Sequence, residues 1–426
     1  MEGKEMKKRT ISILLAGAMT MAAVMGSTVT AFAGEEDTLE FYHGYYHDES
    51  EWPAAKVMRD IYDEFAKTHA DGEVKFEPIA VENRDEIVSA EVAGGNFPDM
   101  VDCGLPLSLA AISQGLVLDL KPYIDENNLQ DAVGLNYTQN DVDGHIYTVH
   151  DQLESRGLWY NTEVFEQAGI TAEEAFKDWE SFGVAMDKVH ELGGDTYGYA
   201  AGQGSRYIIN AVLASTEEGR ELLKGELTPE GIESEAFAEA FKTAAKLDQA
   251  NGSDHTTEDV GNLMDDFNKN GKAAVLFNGV WNASGIDAGL ADKIESQIFP
   301  GNVSVVTAGS GHSISANLSE AETELAHMVS PEVQAKIFTG VQANPCNTTL
   351  DLKALAEESG DPITQKLAEA CTQVNSAETV VTDLNYVWGS DVGSAIINAL
   401  MESAVEGTDI DARFEQLKQE LTALVA

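Results

Sequence analysis

Residues 38–43 read TLEFYH, and residues 56–68 read KVMRDIYDEFAKT. In the first segment Leu39 and Phe41 alternate with Glu40 and Tyr42, which predicts a β-strand. In the second segment apolar residues recur at three- and four-residue spacing, which predicts a helix with one buried face. The same alternation of patterns continues with a strand over Val74–Ile79, a helix over Asp85–Ala93 that ends at Gly94-Gly95, and a strand over Asp99–Cys103. Crossovers of this β-α-β-α-β kind build parallel sheets, so we predict an α/β fold.

The rest of the chain indicates a second lobe. Residues 171–266 are rich in helical patterns, and the C-terminal end keeps one apolar face through Phe414, Leu417 and Leu421. Thr408 and Asp411 have the spacing of a capping box, which predicts that Thr408 caps this last helix. The chain has 426 residues, which exceeds the roughly 250–300 residues at which a single hydrophobic core stops growing. We therefore expect two lobes.

The N-terminus has the pattern of a secretory signal peptide. A basic start with Lys7, Lys8 and Arg9 precedes an apolar run over Ile11–Val24 and the small-x-small sequence Ala31–Ala33. This order predicts cleavage after Ala33 and a location outside the cytoplasm, in the periplasm or at the cell surface. An uncleaved membrane anchor is the alternative. Cysteine is absent near the predicted cleavage site, so the sequence gives no lipobox.

The charge excludes some partners. The formal net charge is −47, and loss of the predicted signal peptide, with four basic and two acidic residues, would leave −49. A field of this sign repels nucleic acid and anionic membrane surfaces. The cysteines Cys103, Cys346 and Cys371 are too few for a disulfide scaffold, and we expect small buried side chains, with one disulfide as the alternative.

Segments that follow predicted strands are the first candidates for a ligand site. Open parallel sheets bind ligands in the crevice beyond the carboxyl ends of their strands, and two facing lobes turn this crevice into a cleft. The segments concerned are Tyr42–Asp48, Cys103–Ser108, Asn278–Asn282 and Gly309–His312.

Five sequence blocks stand in order over about residues 38–405: Asn96–Met100 (NFPDM), Gly115–Leu120 (GLVLDL), Gly144–Ile170 (with GHIY, GLWYN and AGI), Phe267–Trp281 (FNKNGKAAVLFNGVW) and Ser330–Gln334 (SPEVQ). Together they resemble the family 1 extracellular solute-binding proteins of ABC importers, which include the maltose-binding proteins. The chain differs from the family pattern at two places: His150 replaces a proline, and Phe176–Trp179 (FKDW) replaces Pro-x-Thr-Trp, where Asp178 can still cap the next helix.

The resemblance implies a two-lobed, maltose-binding-like fold of type II with a ligand cleft between the lobes. It implies three crossings, near His150–Glu154, Phe299–Gly301 and Val329–Pro331. Lobe one would comprise residues 34–151 and 301–329, and lobe two residues 152–300 and 330–426. It also implies a receptor that binds a mono- or oligosaccharide, closes around it and delivers it to the permease subunits of an ABC importer. We expect a monomer that is not an enzyme, with no catalytic residue, cofactor or metal.

Sugar recognition needs an aromatic face and a ring of hydrogen-bonding groups. Trp281 follows a predicted strand and matches the Gly-x-Trp of the family, a position that often stacks on sugar. Asn282 beside it could bind a hydroxyl group or cap a helix. Trp388 resembles a later stacking tryptophan of the maltose-binding relatives, and Glu154, with Arg156 close by, matches an acidic hydroxyl binder. For each, the alternative is a structural role: a core residue for Trp281 and Trp388, a solvated acid for Glu154.

The aromatic and polar loop after the first strand is the second group of candidates. Tyr45, His47 and Asp48 are placed to contact a ligand there. A zinc site at His43 and His47 is the alternative, but the four-residue spacing makes a metal pair only on a helix. Two further candidates are His312, next to a predicted strand, and Asn344, in a turn that lies near the cleft in this family.

Two other functions remain open at this point. A secreted glycoside hydrolase would need two carboxylates across a substrate, and the many acids of the chain make the presence of such pairs uninformative. The sequence contains neither His-Glu-x-x-His nor Gly-x-Ser-x-Gly. The same fold could also bind a polyamine or a peptide, because a fold does not fix its ligand.

Overall fold

The computed structural model of the protein describes residues 37–70, 74–103, 105–256, 260–306, 311–319 and 322–425. The predicted signal peptide lies outside these residues. Within them, no helix combines the length and the apolar character needed to cross a membrane.

The strands are short and distributed along the whole chain. They are β1 Asp37–His43, β2 Val74–Ala80, β3 Met100–Cys103, β4 Asp141–Val142, β5 His145–Ile146, β6 Gln152–Leu153, β7 Ser155–Asn161, β8 Tyr197–Ala200, β9 Ala273–Gly279, β10 Ile294–Gln297, β11 Val303–Val306, β12 Gly311–Ile314, β13 Asn344–Pro345 and β14 Thr379–Thr382.

Three strands from the N-terminal half and one returning strand build the first sheet, in the order β12-β3-β1-β2. β1 is parallel to β2, with Leu39 opposite Phe76, and parallel to β3, with Phe41 opposite Met100. The predicted parallel β-α-β-α-β start is thus confirmed. β12 joins the edge antiparallel to β3.

The second sheet has six strands and mixed directions, in the order β14-β11-β7-β9-β8, with β10 also paired to β7. β7 is buried along its whole length and is antiparallel to β9, β10 and β11. β8 is parallel to β9, and β14 is parallel to β11.

Helices cover both sheets, and polar side chains begin many of them. Asp178, for example, accepts a hydrogen bond from Ser181 N at 2.7 Å, the cap that its sequence context predicts. The described helices are Pro53–Thr68, Arg84–Ala93, Leu105–Ser113, Lys121–Glu126, Gln130–Val133, Asn136–Gln139, Thr162–Ala168, Ala172–Ala175, Trp179–His190, Arg206–Ala214, Glu217–Leu222, Pro229–Ile232, Glu235–Asn251, Ser253–Thr256, Val260–Asn268, Glu322–Met328, Pro331–Lys336, Leu352–Ser359, Pro362–Asn375, Leu384–Val387, Ser390–Ser403 and Ile410–Val425.

Each sheet has its own core. The helix Pro53–Thr68 packs on the first sheet through Met58, Ile61 and Phe65. The second sheet is covered by a larger cluster that includes the aromatic group Trp179, Phe182, Tyr199, Phe277 and Phe299. Two sheets with separate cores form a two-lobed α/β fold, as predicted.

Sheet membership refines the lobe limits that the sequence suggested. Phe299 pairs with Val303 in a turn of the second sheet, where the second crossing was expected. Because β11 lies in the second sheet and β12 in the first, the chain passes between the lobes after Val306. Val333, in the helix Pro331–Lys336, packs in the core of the first lobe, so the third crossing comes later in the chain. We therefore propose 37–151 with 311–346 as the first lobe and 152–306 with 352–425 as the second.

Candidate functional site

The strand directions bring two sets of strand ends to the junction of the lobes. The chain leaves β11 at its carboxyl end and enters β12, so both of these ends lie at the junction. The carboxyl ends of β8, β9 and β14 share this edge of the second sheet with the amino end of β7. In the first sheet β3 is antiparallel to β12, so the carboxyl ends of β1, β2 and β3 also point to the junction. Residues that follow these strands therefore lie at the junction of the lobes.

An aromatic and cationic surface, which we call the Trp281 face, lies at this edge of the second lobe. Trp281 follows β9 and keeps 38% of its surface exposed. The guanidinium carbon of Arg156 lies 5.1 Å from the centre of the Trp281 ring and 5.6 Å from that of Tyr207. Arg156 Nη2 donates to the carboxylate of Glu154 at 3.1 Å. The guanidinium thus joins two aromatic rings through cation–π contacts.

Gly279 allows Trp281 to lie close to the backbone of β9. A Cβ atom at Gly279 would come within 2.1 Å of Trp281 Cζ3. A larger residue would therefore push the ring away from its present position. The main-chain oxygen of Gly279 is held by Trp159 Nε1, which donates to it at 3.0 Å.

A buried ion pair supports the same surface. Arg206 begins a helix after the turn that follows β8, and Asp383 follows β14. Arg206 donates to Asp383 through Nη2 at 2.9 Å and through Nε at 3.2 Å. The Arg206 guanidinium also lies 4.4 Å from the centre of the Tyr207 ring. Bidentate pairing of this kind fixes both side chains in position.

Arginine is rare in this acidic chain, and it is concentrated at the junction. The sequence has seven arginines against 73 acidic residues. Besides Arg156 and Arg206, Arg59 donates to two carbonyl oxygens of the loop after β1, and Arg84 pairs with Asp102 in β3. Arg220 lines the space between the lobes. Every arginine in the described part of the chain is partly or fully buried.

Next to the Trp281 face, the lobes enclose a cavity of about 990 Å³, which we call the interlobe cavity. Its first-lobe wall comes from the helix Asn136–Gln139 and the β4–β5 hairpin, and its second-lobe wall from residues 220–226 and 380–387. Thr382 Oγ1 donates to Gln139 Oε1 at 3.4 Å and so connects the two walls. A smaller cavity of about 210 Å³ adjoins Arg206 and Tyr207.

The structure places the predicted site residues in different surroundings. Trp281 and Glu154 lie together on the Trp281 face. Trp388 is buried in the core of the second lobe, where its Nε1 donates to Leu222 O at 2.9 Å, which supports the core alternative. Asn282 is also buried and exchanges two side-chain hydrogen bonds with Asn268.

Asn344 and His312 belong to the crossings instead. The side chain of Asn344, in β13, donates to Ser155 Oγ at 3.0 Å and is fully buried. His312 is buried between Asp151 and Glu324, with nitrogen–oxygen distances of 3.3 and 3.0 Å. Burial would lower the pKa of His312, but the two carboxylates raise it well above its ordinary value. This histidine therefore joins the first and second crossings electrostatically.

In the loop after β1, some side chains are buried and others lie at the surface. Tyr45 is buried, and its hydroxyl accepts a hydrogen bond from Gln152 Nε2 at 2.8 Å. Asp48 accepts from Ser50 N at 2.9 Å, and His47 pairs with Glu51 at 3.4 Å. Among the described residues, no group of three or more histidine, cysteine or carboxylate side chains is arranged so that it could hold a metal ion.

Sequence reasoning missed Arg206, Tyr207, Asp383 and Tyr386. These residues follow β8 and β14, two strands that the periodicity pattern did not reveal. The scarcity of arginine in an acidic chain was the signal that could have pointed to this region.

Two sheets joined by crossing segments, with an aromatic and polar surface at their junction, define a two-lobed ligand-binding protein. The profile of the family described as bacterial extracellular solute-binding protein matches residues 51–335. The chain belongs to this family, which confirms the resemblance seen in the sequence. Its members are binding proteins that act outside the cytoplasm.

Three relatives illustrate the similarity. A Streptococcus pneumoniae solute-binding protein, solved in complex with the blood group A-trisaccharide, is 45% identical, with a TM-score of 0.77 over 91% of this chain and 100% of that chain. The sugar-binding protein MalE from Xanthomonas citri shares the fold at 18% identity, with a TM-score of 0.72 over 91% of this chain and 97% of that chain. A protein of Brucella abortus (strain 2308), named as a binding protein, is 24% identical over 197 residues, which are 44% of this chain and 46% of that protein. The chain thus spans about half the length of the curated relatives it matches.

Proposed function

We propose that this protein is the extracellular receptor of an ABC importer and that it binds a carbohydrate between its lobes. The Trp281 face is the observation that carries the proposal. A pyranose ring has an apolar C–H face that packs on aromatic rings, while its hydroxyl groups need donors and acceptors around the edge. Trp281 supplies an exposed ring and Glu154 supplies an acceptor, and the buried Arg156 contacts both of them.

The charges at the face support a neutral sugar over a cationic ligand. A polyamine would need carboxylates to bind its ammonium groups. The two carboxylates of this region, Glu154 and Asp383, are already bound to Arg156 and Arg206. The 45% identical Streptococcus protein, with its bound trisaccharide, adds to the case for carbohydrate.

The same pairing argues against hydrolysis. A glycosidase needs one carboxyl group to act as an acid and a second to act as a nucleophile or base across the bond. Both carboxylates here are bound to arginine side chains, which fixes their positions. We therefore propose binding without turnover, followed by delivery to the permease subunits of the importer.

Export is part of this proposal. We propose that the segment before Gly34 is a cleaved signal peptide, so that the working protein begins at Gly34. Mass spectrometry of the protein recovered after export tests this assignment. A mass that retains residues 1–33 would overturn it and support the membrane-anchor alternative.

A screen of melting temperatures against sugars, amino acids, polyamines and peptides tests the function. A ligand that binds only the folded state raises the melting temperature by mass action. We expect a rise with one class of carbohydrate, followed by confirmation of its dissociation constant by calorimetry. A rise with a polyamine or peptide alone would overturn the sugar assignment, and release of cleaved product from an oligosaccharide would overturn the binding-only assignment.

Replacing Trp281 by alanine should weaken binding of the sugar found in that screen by about 1–3 kcal/mol, the range for losing a buried large side chain contact. This corresponds to roughly 5- to 150-fold in the dissociation constant. The free energy of unfolding should change little, because Trp281 is partly exposed at the edge of its lobe. Calorimetry and urea unfolding measure the two quantities.

Two further variants test whether Trp281 acts by stacking its ring on the ligand or through a general effect on the protein. Gly279→Ala should also weaken binding, because the added Cβ displaces the Trp281 ring. Trp281→Phe should keep most of the affinity, because it retains an aromatic ring. Equal affinity of Trp281→Ala and the unaltered protein would remove this tryptophan from the site.

A further inference from the structure

Arg156 is a buried cation next to the two exposed groups of the Trp281 face. Its side chain is 7% exposed, whereas that of Glu154 is 42% exposed, and Trp281 is 38% exposed. A molecule that reaches Trp281 and Glu154 therefore meets almost none of the guanidinium. Burying a charge is costly unless paired groups compensate, so the position of Arg156 is explained by the groups that it contacts.

The strand register explains how Arg156 meets the Trp281 ring. Arg156 in β7 lies directly opposite Gly279 in β9, and side chains of opposite residues lie on the same face of a sheet. Gly279 has no side chain, and the Trp281 ring fills its place, since a Cβ atom there would lie 2.1 Å from Trp281 Cζ3. The ring thus meets the guanidinium across the strand pair, with 5.1 Å between the guanidinium carbon and the ring centre.

The same guanidinium holds Glu154 in place. Arg156 Nη1 donates to the main-chain oxygen of Glu154 at 2.8 Å, and Nη2 donates to its carboxylate at 3.1 Å. Glu154 lies between β6 and β7, and a surface glutamate without partners would sample many rotamers. Two hydrogen bonds from one planar, rigid donor group restrict its carboxylate to one side of the guanidinium.

The guanidinium is itself supported from the interior of the lobe. Its carbon lies 5.6 Å from the centre of the Tyr207 ring, and the Arg206 guanidinium lies 4.4 Å from the same centre. Asp383, which is fully buried, binds Arg206. Cation–π contacts of this kind are stronger when they are removed from water. These buried residues form no part of the ligand surface, but they fix Arg156 from behind it.

We propose that Arg156 is a positioning residue, which holds the Trp281 ring and the Glu154 carboxylate one guanidinium group apart so that both act on the same sugar unit. The ring packs on the apolar C–H face of that unit, and the carboxylate accepts a hydrogen bond from a hydroxyl group at its edge. Holding both groups in place before binding removes the entropic cost of ordering them. This inference rests on the proposed function, because it takes carbohydrate binding at the Trp281 face as given.

Titration calorimetry on Arg156→Lys tests the proposal. The probes are the blood group A trisaccharide and the sugar that gives the largest rise in the melting-temperature screen. We expect Arg156→Lys to weaken binding about tenfold, because lysine keeps the charge but has neither the planar donor group nor its stacking on rings. In the Trp281→Ala and Glu154→Gln backgrounds the same change should weaken binding by a factor at least about threefold smaller, since Arg156 acts through these two residues.

Arg413 offers a matched control in the same lobe. Its side chain is 8% exposed and pairs with Glu402 and Glu420. Arg413→Lys therefore alters an equally buried arginine without altering the Trp281 face. The affinity of this variant should stay within about twofold of that of the unaltered protein.

A second comparison leaves the buried arginine unaltered, in case Arg156→Lys does not fold. Trp281→Ala, Glu154→Gln and the double variant change only partly exposed side chains, so all three should fold normally. Because one guanidinium holds both groups, loss of either group loosens the other. The loss of affinity in the double variant should therefore be smaller than the product of the two single losses, by at least about threefold.

The outcomes distinguish this inference from the proposed function. Equal affinity of Arg156→Lys and the unaltered protein would overturn the positioning role. An undiminished effect of Arg156→Lys in both backgrounds would also overturn it, because Arg156 would then contact the sugar directly. Independent losses in the Trp281 and Glu154 variants would contradict it as well, and each of these results would leave carbohydrate binding intact. Binding of no sugar would overturn the proposed function itself.

Discussion

Replacing Asp383 by alanine should lower the free energy of unfolding by about 3–5 kcal/mol, because the variant leaves the buried guanidinium of Arg206 without its counter-charge. Asp383 is fully buried, and the Arg206 side chain is 11% exposed. The carboxylate also accepts from Asn385 N at 3.1 Å at the start of the helix Leu384–Val387, so its loss removes a cap as well. Urea unfolding at neutral pH measures the change.

The control for this prediction is an ion pair on the surface. Lys269 and Asp265 are one helical turn apart and more than half exposed, so Asp265→Ala should cost less than about 1 kcal/mol. A double variant, Arg206→Met with Asp383→Ala, should recover much of the lost stability because no buried charge remains. Equal effects of Asp383→Ala and Asp265→Ala would contradict the role assigned to the buried pair.

Asp248→Asn should change how stability depends on pH. Asp248 lies on the helix Glu235–Asn251, fully buried, and accepts hydrogen bonds from Tyr199 OH at 2.7 Å and Ser205 Oγ at 2.8 Å. Burial raises its pKa from 3.8 to about 7, although these two hydrogen bonds oppose the shift. The folded state thus holds a proton that the unfolded state releases at lower pH.

The sign of the effect follows from proton binding. Well below pH 3.8 the carboxyl group is neutral in both states, so its contribution to stability does not change with pH. Between there and about pH 7 the unfolded state gains from ionisation, so this group makes the protein less stable as the pH rises, by about 4 kcal/mol in total. Asparagine does not titrate, so the stability of the variant relative to the unaltered protein should increase by that amount across the interval.

Urea unfolding of both proteins at a series of pH values measures this difference. The comparison cancels the titration of the other acids, which the two proteins share. A parallel curve for Asp248→Asn would mean that the buried carboxyl group titrates normally.

The fold was predictable wherever a segment buries one face. β1, the helix Pro53–Thr68 and β2 were predicted to within a few residues, because each has an apolar period that matches its geometry. β7 and β11 are buried on both faces and therefore carry no alternation. The position of the second crossing was missed for this reason, since it depends on which sheet β11 joins.

Helix caps were predictable only where the sequence has a single candidate for the capping residue. Asp178 was expected to cap the next helix and does so. At the last helix the sequence offered Thr408, but Asp409 is the residue that accepts from Ala412 N, at 3.0 Å, and Thr408 Oγ1 donates to Glu402 O instead. The capping free energies of two adjacent candidates such as Thr408 and Asp409 are too similar for the sequence alone to show which residue caps the helix.

The candidate site was predictable in part. Trp281 and Glu154 came from local motifs, and they lie on one surface because β7 and β9 are neighbours. Trp388 could not be placed from sequence, since an aromatic residue beside a helix serves a core or a ligand equally well. Arg206 and Asp383 are 177 positions apart, and only the fold brings them together.

The arrangement of arginines has a practical consequence for handling the protein. A protease that cleaves only after arginine should leave the described part of the native protein intact, because every arginine in that part is at least partly buried. One that cleaves after lysine meets exposed targets, such as Lys177 and Lys269. Arginine-specific digestion would therefore report the fraction of molecules that have unfolded or separated their lobes, without any label or added probe.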